Sequence, residues 1–147
     1  MHTPPAPLDA DRTVGLLRSS RLARVAFTVD DEPFLVTAAV TVAANGRMTL
    51  EVDDPDACAH LGGRHIAIEV DGQYASTGAR WSVTSRGTAI AKDDAASTGG
   101  RFHRITDAPG TEQPDPGRTF VVVPTDIVGH LLAGGAVEDW FAGVPAS

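Results

Sequence analysis

Six side chains able to hold a metal or move a proton lie between positions 53 and 65: Asp53, Asp54, Asp56, Cys58, His60 and His65. Asp56 and His60 are four apart and share one side of a helix. No established metal-ligand spacing is met, and acidic residues in a first helical turn are what the helix dipole favours. A capped, solvated helix is therefore expected, and no metal site. Cys58 needs a neighbouring base or cation to form its thiolate; the carboxylates around it oppose that, so it reads as a structural thiol. Arg101, His103 and Arg104 form the most basic patch, able to close over an anionic ligand, although a solvated loop is the plainer reading. Arg80 and Arg86 share a strand face as phosphate or carboxylate partners, or simply as a solvated face. No Ser-His-Asp set is legible, because such sets assemble in space and not along the chain.

These residues sit in a chain of 147 residues with 12 Lys+Arg, 19 Asp+Glu and a net charge of −7. At roughly 100–200 residues per domain, one domain is expected. The acidic balance argues against nucleic acid, which needs clustered Lys and Arg. It leaves room for an anionic cofactor, which needs only a few local donors. The single cysteine excludes an intramolecular disulfide. The first twelve residues lack an apolar core segment, and no apolar run reaches the roughly 18–20 residues that span a bilayer. A cytoplasmic protein with no membrane partner is expected.

Residues 1–8, with three prolines, read as a flexible tail before a single domain over 9–147. Asp9 or Asp11 caps a helix running to about Ser20, with Val14, Leu16 and Leu17 as its apolar face. From Leu22 the period changes to two. Residues 22–29 are a strand, 30–33 a turn, and 34–42 a small, β-branched strand. Ala44-Asn45-Gly46 is a hairpin signal before an alternating strand at 48–52. Asp54-Pro55 and Gly62-Gly63 bracket a short helix. Strands follow at 65–71 and 79–91, where Gly87 marks a bulge or a close backbone approach.

Residues 92–118 read as a long irregular excursion, of the kind that is usually functional or disordered. Residues 119–124 are a strand. Residues 125–132 either continue it or form a helix capped by Thr125 or Asp126, and 136–143 look like a terminal helix carrying Trp140 and Phe141. The pattern is mostly β: a six- to seven-stranded antiparallel barrel with short peripheral helices. A β-sandwich is the rival architecture.

Four segments carry a resemblance. LLRSSRLARVAF, EPFLVTAAVTV, HLGGRHIAIEVD and RWSVTSRGTA, in that order over residues 13–91 and more weakly at TFVVVPTDIVG, resemble the FMN-binding split-barrel family. The nearest members are the pyridoxamine 5′-phosphate oxidase-like and nitroimidazole-resistance-type proteins of actinobacteria. The resemblance implies a homodimeric split barrel, FMN at the subunit interface, and flavin-dependent oxidoreduction of a small organic molecule. Val36, Thr37 and Ala38 would offer backbone contacts to the ring, with Trp81 and Ser82 against it; Trp81 also reads simply as a core aromatic. His60 and Arg64 would lie nearest the phosphate.

The chain departs from the family pattern at the phosphate. Where relatives carry Val-Pro-Val-Asn-Tyr, Thr37 stands at the proline, Ala39 at the asparagine and Val40 at the tyrosine. Glu51 stands at the usual donor, and Asp56, Ala57 and Cys58 stand at the usual Ser-Lys-Leu. A phosphate about 4 Å from an uncompensated carboxylate meets repulsion of several kcal/mol at intermediate dielectric. Arg64, His60 or Arg24 would have to compensate, and tight FMN binding in the usual pose is not expected. The alternative is a flavin-free member whose interface pocket serves a non-redox reaction or binds another small ligand. A deazaflavin-using relative lies between the two.

Overall fold

The computed structural model describes residues 5–92 and 118–132. The body of the 92–118 excursion, with Arg101, His103 and Arg104, and the helix expected at 136–143 lie outside the described residues. The elements are β1 (Ala6–Pro7), α1 (Ala10–Ser19), β2 (Leu22–Val29), β3 (Glu32–Val42), β4 (Met48–Glu51), α2 (Pro55–Leu61), β5 (His65–Gln73), β6 (Arg80–Ala91) and β7 (Thr119–Leu131).

Alternation in the sequence sets the faces. Along β2, Ala23, Val25, Phe27 and Val29 are buried while the even-numbered residues are exposed. Val40 and Val42 of β3, Met48 and Leu50 of β4, Ile66, Ile68 and Val70 of β5, and Trp81, Val83 and Ala89 of β6 join them in one core. All strand pairings are antiparallel, in the order β1-β7-β4-β3-β2-β5-β6, and a further β6–β7 pairing closes six strands into a ring. That closure excludes the sandwich, whose two sheets keep separate edges. β3 serves two neighbours, pairing with β2 over Glu32–Ala39 and with β4 over Ala39–Val42.

Local chemistry explains the turns and caps. Asp30 and Asp31 both have positive φ (49° and 64°), the conformation that a tight two-residue hairpin requires and that Asp tolerates. The turn is accordingly shorter than the expected 30–33, and Pro33 belongs to the strand, on the part of β3 that β4 leaves unpaired. The Asp9 carboxylate accepts from Arg12 N at 2.8 Å and starts α1, which sets Leu17 into the core. Asp54 starts α2, which contributes Ala57 and Leu61.

One expectation is overturned and two open alternatives are resolved. Residues 6 and 7, read as tail, pair with His130 and Leu131, and Leu8 N donates to Gly129 O at 2.9 Å. Pro7 is accommodated because β1 is an edge strand. β7 runs through Pro124 to Leu131, which settles residues 125–131 as strand. The bulge lies opposite Gly87 and not at it: Arg86 faces Asp126 and Gly87 faces Pro124, leaving Thr125 as the extra residue. Gly87 is the close approach. A Cβ there would stand 2.7 Å from Val123 O and 2.8 Å from Val122 Cγ1.

Candidate functional site

Two regions of the barrel surface have the makings of a site. The first is the outer face of β3 beside the start of α2, where the family resemblance would put a flavin ring and its phosphate. Thr37 is exposed on that face, whereas Val36 is half-buried and Ala38 buried, both on the core side. The start of α2 is acidic, with Glu51, Asp53, Asp54 and Asp56 all exposed. Its amide donors are also taken. Asp54 Oδ1 accepts from Asp56 N at 2.9 Å and from Ala57 N at 3.2 Å, Cys58 N donates to Asp54 O, and Pro55 has no N–H. An anion arriving there would have to displace a carboxylate that already caps the helix.

The cations proposed to compensate are placed elsewhere. Arg24 pairs with Glu69 at 3.2 Å and Asp71 at 2.9 Å, and these carboxylates raise its pKa. Arg64 Nε donates to His60 O at 2.6 Å and a terminal nitrogen to Thr28 O at 3.0 Å. His60 lies at the far end of α2, its ring 6.3 Å from that of Phe34. Among the described residues, the cation that reaches the acidic loop is Arg118, 3.7 Å from Asp53 Oδ1. Sequence reasoning missed it because it arrives from the start of β7, 65 positions further along the chain. Trp81 is 7% exposed and packs against Gly72, so its ring belongs to the core. Ser82 is half-buried on the opposite face of β6, in register with Asp71 and His130.

The second region is a cleft of about 340 Å³ where β2 and β5 part. These strands pair only through Arg24–Glu69, Val25–Ile68 and Ala26–Ala67. Continuing that register would set Thr28 opposite His65, but the Arg64 guanidinium binds the Thr28 carbonyl instead, and the ladder ends. Ala26, Ala67 and Pro33 line the cleft from the outer face; Phe27, Phe34 and Ile66 line it from the core side. The Phe27 and Phe34 rings are stacked at 5.2 Å and 10°. Thr28, His65 and Arg86 supply its polar groups.

Arg86 is held at the rim by Asp126, with Nε 3.1 Å and a terminal nitrogen 2.6 Å from Oδ2. The Asp126 carboxyl is held below the ordinary value of 3.8, chiefly by this hydrogen bonding. The sign follows from the unequal proton affinities of the folded and unfolded chains. The stabilisation is complete above pH 3.8 and is lost as pH falls through the lowered folded value. A carboxyl carbon-13 NMR titration is expected to place the Asp126 midpoint below 3.8, and Arg86→Gln should return it toward 3.8. A wild-type midpoint at or above that value would mean the pair does not form.

No protein-family model matches the chain, and no curated protein resembles it at a significant level. Solved structures do. An FAD-binding protein from Mycobacterium smegmatis superposes with a TM-score of 0.61 at 20% identity, covering 86% of this chain and 97% of that one. A candidate pyridoxamine 5′-phosphate oxidase from Corynebacterium glutamicum gives 0.59 at 21% identity, over 92% and 98%. An FAD- and haem-binding protein from M. smegmatis gives 0.56 at 20% identity, over 92% and 78%. The fold is that of the flavin-binding split barrels. At these identities the likeness is one of architecture, and the split barrel's own residues must decide what it holds. Among its described residues no helix is long and apolar enough to cross a membrane, and no cluster of three His, Cys, Asp or Glu side chains is arranged to hold a metal.

Proposed function

We propose that this split barrel binds a flavin through its ring, works as a homodimer, and is a flavin-dependent oxidoreductase acting on a small organic molecule. The observation that carries the reading is the shared architecture, which spans nearly the full length of a protein named for FAD binding. The outer face of β3 suits a flat ring, because Thr37, Ala39 and Thr41 are exposed and small and leave the backbone accessible. Leu22 and Leu35 are 66% and 68% exposed on neighbouring strands, apolar surface of the kind that a second copy covers. A bound flavin would supply the electron-transfer chemistry, and the protein would orient the ring and exclude water.

The phosphate does not fit the start of α2 as built, so no chemical step is assigned there. That observation favours a second reading, in which the split barrel has no flavin and its pocket takes another small ligand. The visible spectrum of the purified protein, before and after addition of FMN or FAD and desalting, separates the two. A retained flavin band is expected, together with a light-scattering mass twice 15.3 kDa. A protein that stays colourless after loading overturns the flavin reading.

A further inference from the structure

The cleft between β2 and β5 takes in Pro33 and Phe34 at the start of β3, and lies along that strand from Thr37, Ala39 and Thr41, where a flavin ring would rest. It lies where the β2–β5 ladder ends and Arg64 donates to the Thr28 carbonyl in place of a strand partner. An intact pairing would present one face of the sheet. Here residues from both faces, Ala26 and Ala67 from outside and Phe27 and Phe34 from the core, line a single depression. Its volume of about 340 Å³ lies at the small end of the roughly 300–1,000 Å³ of ligand pockets.

The lining selects the ligand. Apolar side chains and the stacked Phe27–Phe34 pair suit a flat, apolar body. At the rim, Asp126 occupies Nε and one terminal nitrogen of Arg86. The second terminal nitrogen has no partner among the described residues and remains able to donate. The Asp126 pairing also orients the guanidinium at the rim before any ligand arrives. His65 adds an imidazole to the same lining. Because Asp126 already neutralises Arg86, the rim offers a directed N–H donor more than net charge, and each negative charge on a ligand also meets the Asp126 carboxylate, which disfavours a dianion more than a monoanion. We infer that this cleft binds a small aromatic monocarboxylate, its ring against Phe27 and Phe34 and its carboxylate on Arg86.

The test uses the whole protein without flavin, so its outcome is independent of the flavin reading. Amide 1H–15N spectra would be recorded while benzoate is added, with benzyl alcohol and phenyl phosphate as comparison ligands. Saturable shifts clustered at Ala26, Thr28, Ile66 and Ala67 are expected. Benzyl alcohol on the wild type, and benzoate on Arg86→Gln, should bind roughly tenfold more weakly, the loss of one charge-assisted contact. Ala67→Leu, a change on the outer face that fills the cleft while the spectrum reports the intact fold, should abolish the shifts. Shifts that scatter without saturating, that persist in Ala67→Leu, or that are matched by phenyl phosphate would overturn the assignment.

Discussion

Phe120→Ala is expected to destabilise the protein by about 3–5 kcal/mol, the usual cost of deleting a fully buried aromatic ring. Phe120 is the largest of the fully buried side chains among the described residues. It lies in β7 where that strand is hydrogen-bonded on both sides, opposite Leu50 of β4 and Ala91 of β6. Its ring edge also comes within 3.9 Å of the point where a Cβ on Gly62 would stand, at the end of α2. Neighbours held by two ladders and a helix end cannot collapse far into the space the ring leaves, so the cavity term is not relieved. For a domain of this size the melting temperature should fall by roughly 10 °C or more. Val123→Ala, three residues on in the same strand but 58% exposed, should cost less than about 0.5 kcal/mol. Urea unfolding of both variants checks the contrast. A Phe120→Ala loss near that of Val123→Ala would mean that β7 is not seated between β4 and β6.

The second large effect concerns the start of α2. Glu51→Arg, Asp56→Ser and Ala57→Lys together bring positive charge to the expected phosphate position, but they leave Asp54 Oδ1 on the amides of residues 56 and 57. FMN affinity is therefore expected to rise only modestly in the triple variant. Adding Asp54→Gly frees those amides and removes a further carboxylate. A gain of roughly a hundredfold over the triple variant corresponds to about 2.7 kcal/mol, the scale of two charge-assisted hydrogen bonds with helix N–H groups. Losing the cap costs only a few tenths of a kcal/mol when glycine replaces it. Fluorescence quenching of FMN would measure both variants. Equal affinities would show that Asp54 does not block the site. Absent binding in the quadruple variant would place the defect at the ring face of β3.

Local pattern was enough to assign the strands and their faces wherever alternation is clean. At 22–29, 48–52, 65–71 and 79–91 the side-chain period of two leaves one register that buries Val, Ile and Leu. It also located both helices, because Asp9 and Asp54-Pro55 satisfy helix N-termini using neighbouring atoms alone. The acidic departure at Glu51, Asp54 and Asp56 was equally legible, being a matter of residue type. The second half of β7 was not. The extra residue at Thr125 shifts the alternation by one, so Val123 and Val128 face outward while Ile127 packs inward, and no single period spans the bulge. The barrel was expected from the strand pattern, but the pairs that close it, β2–β5 and β6–β7, were not, since they join segments whose pairing leaves no local mark. The approach of Arg118 to Asp53 and the Arg64 contact with Thr28 at the cleft were set by the three-dimensional fold alone. Each depends on where a side chain ends in space, and they join residues 65 and 36 positions apart.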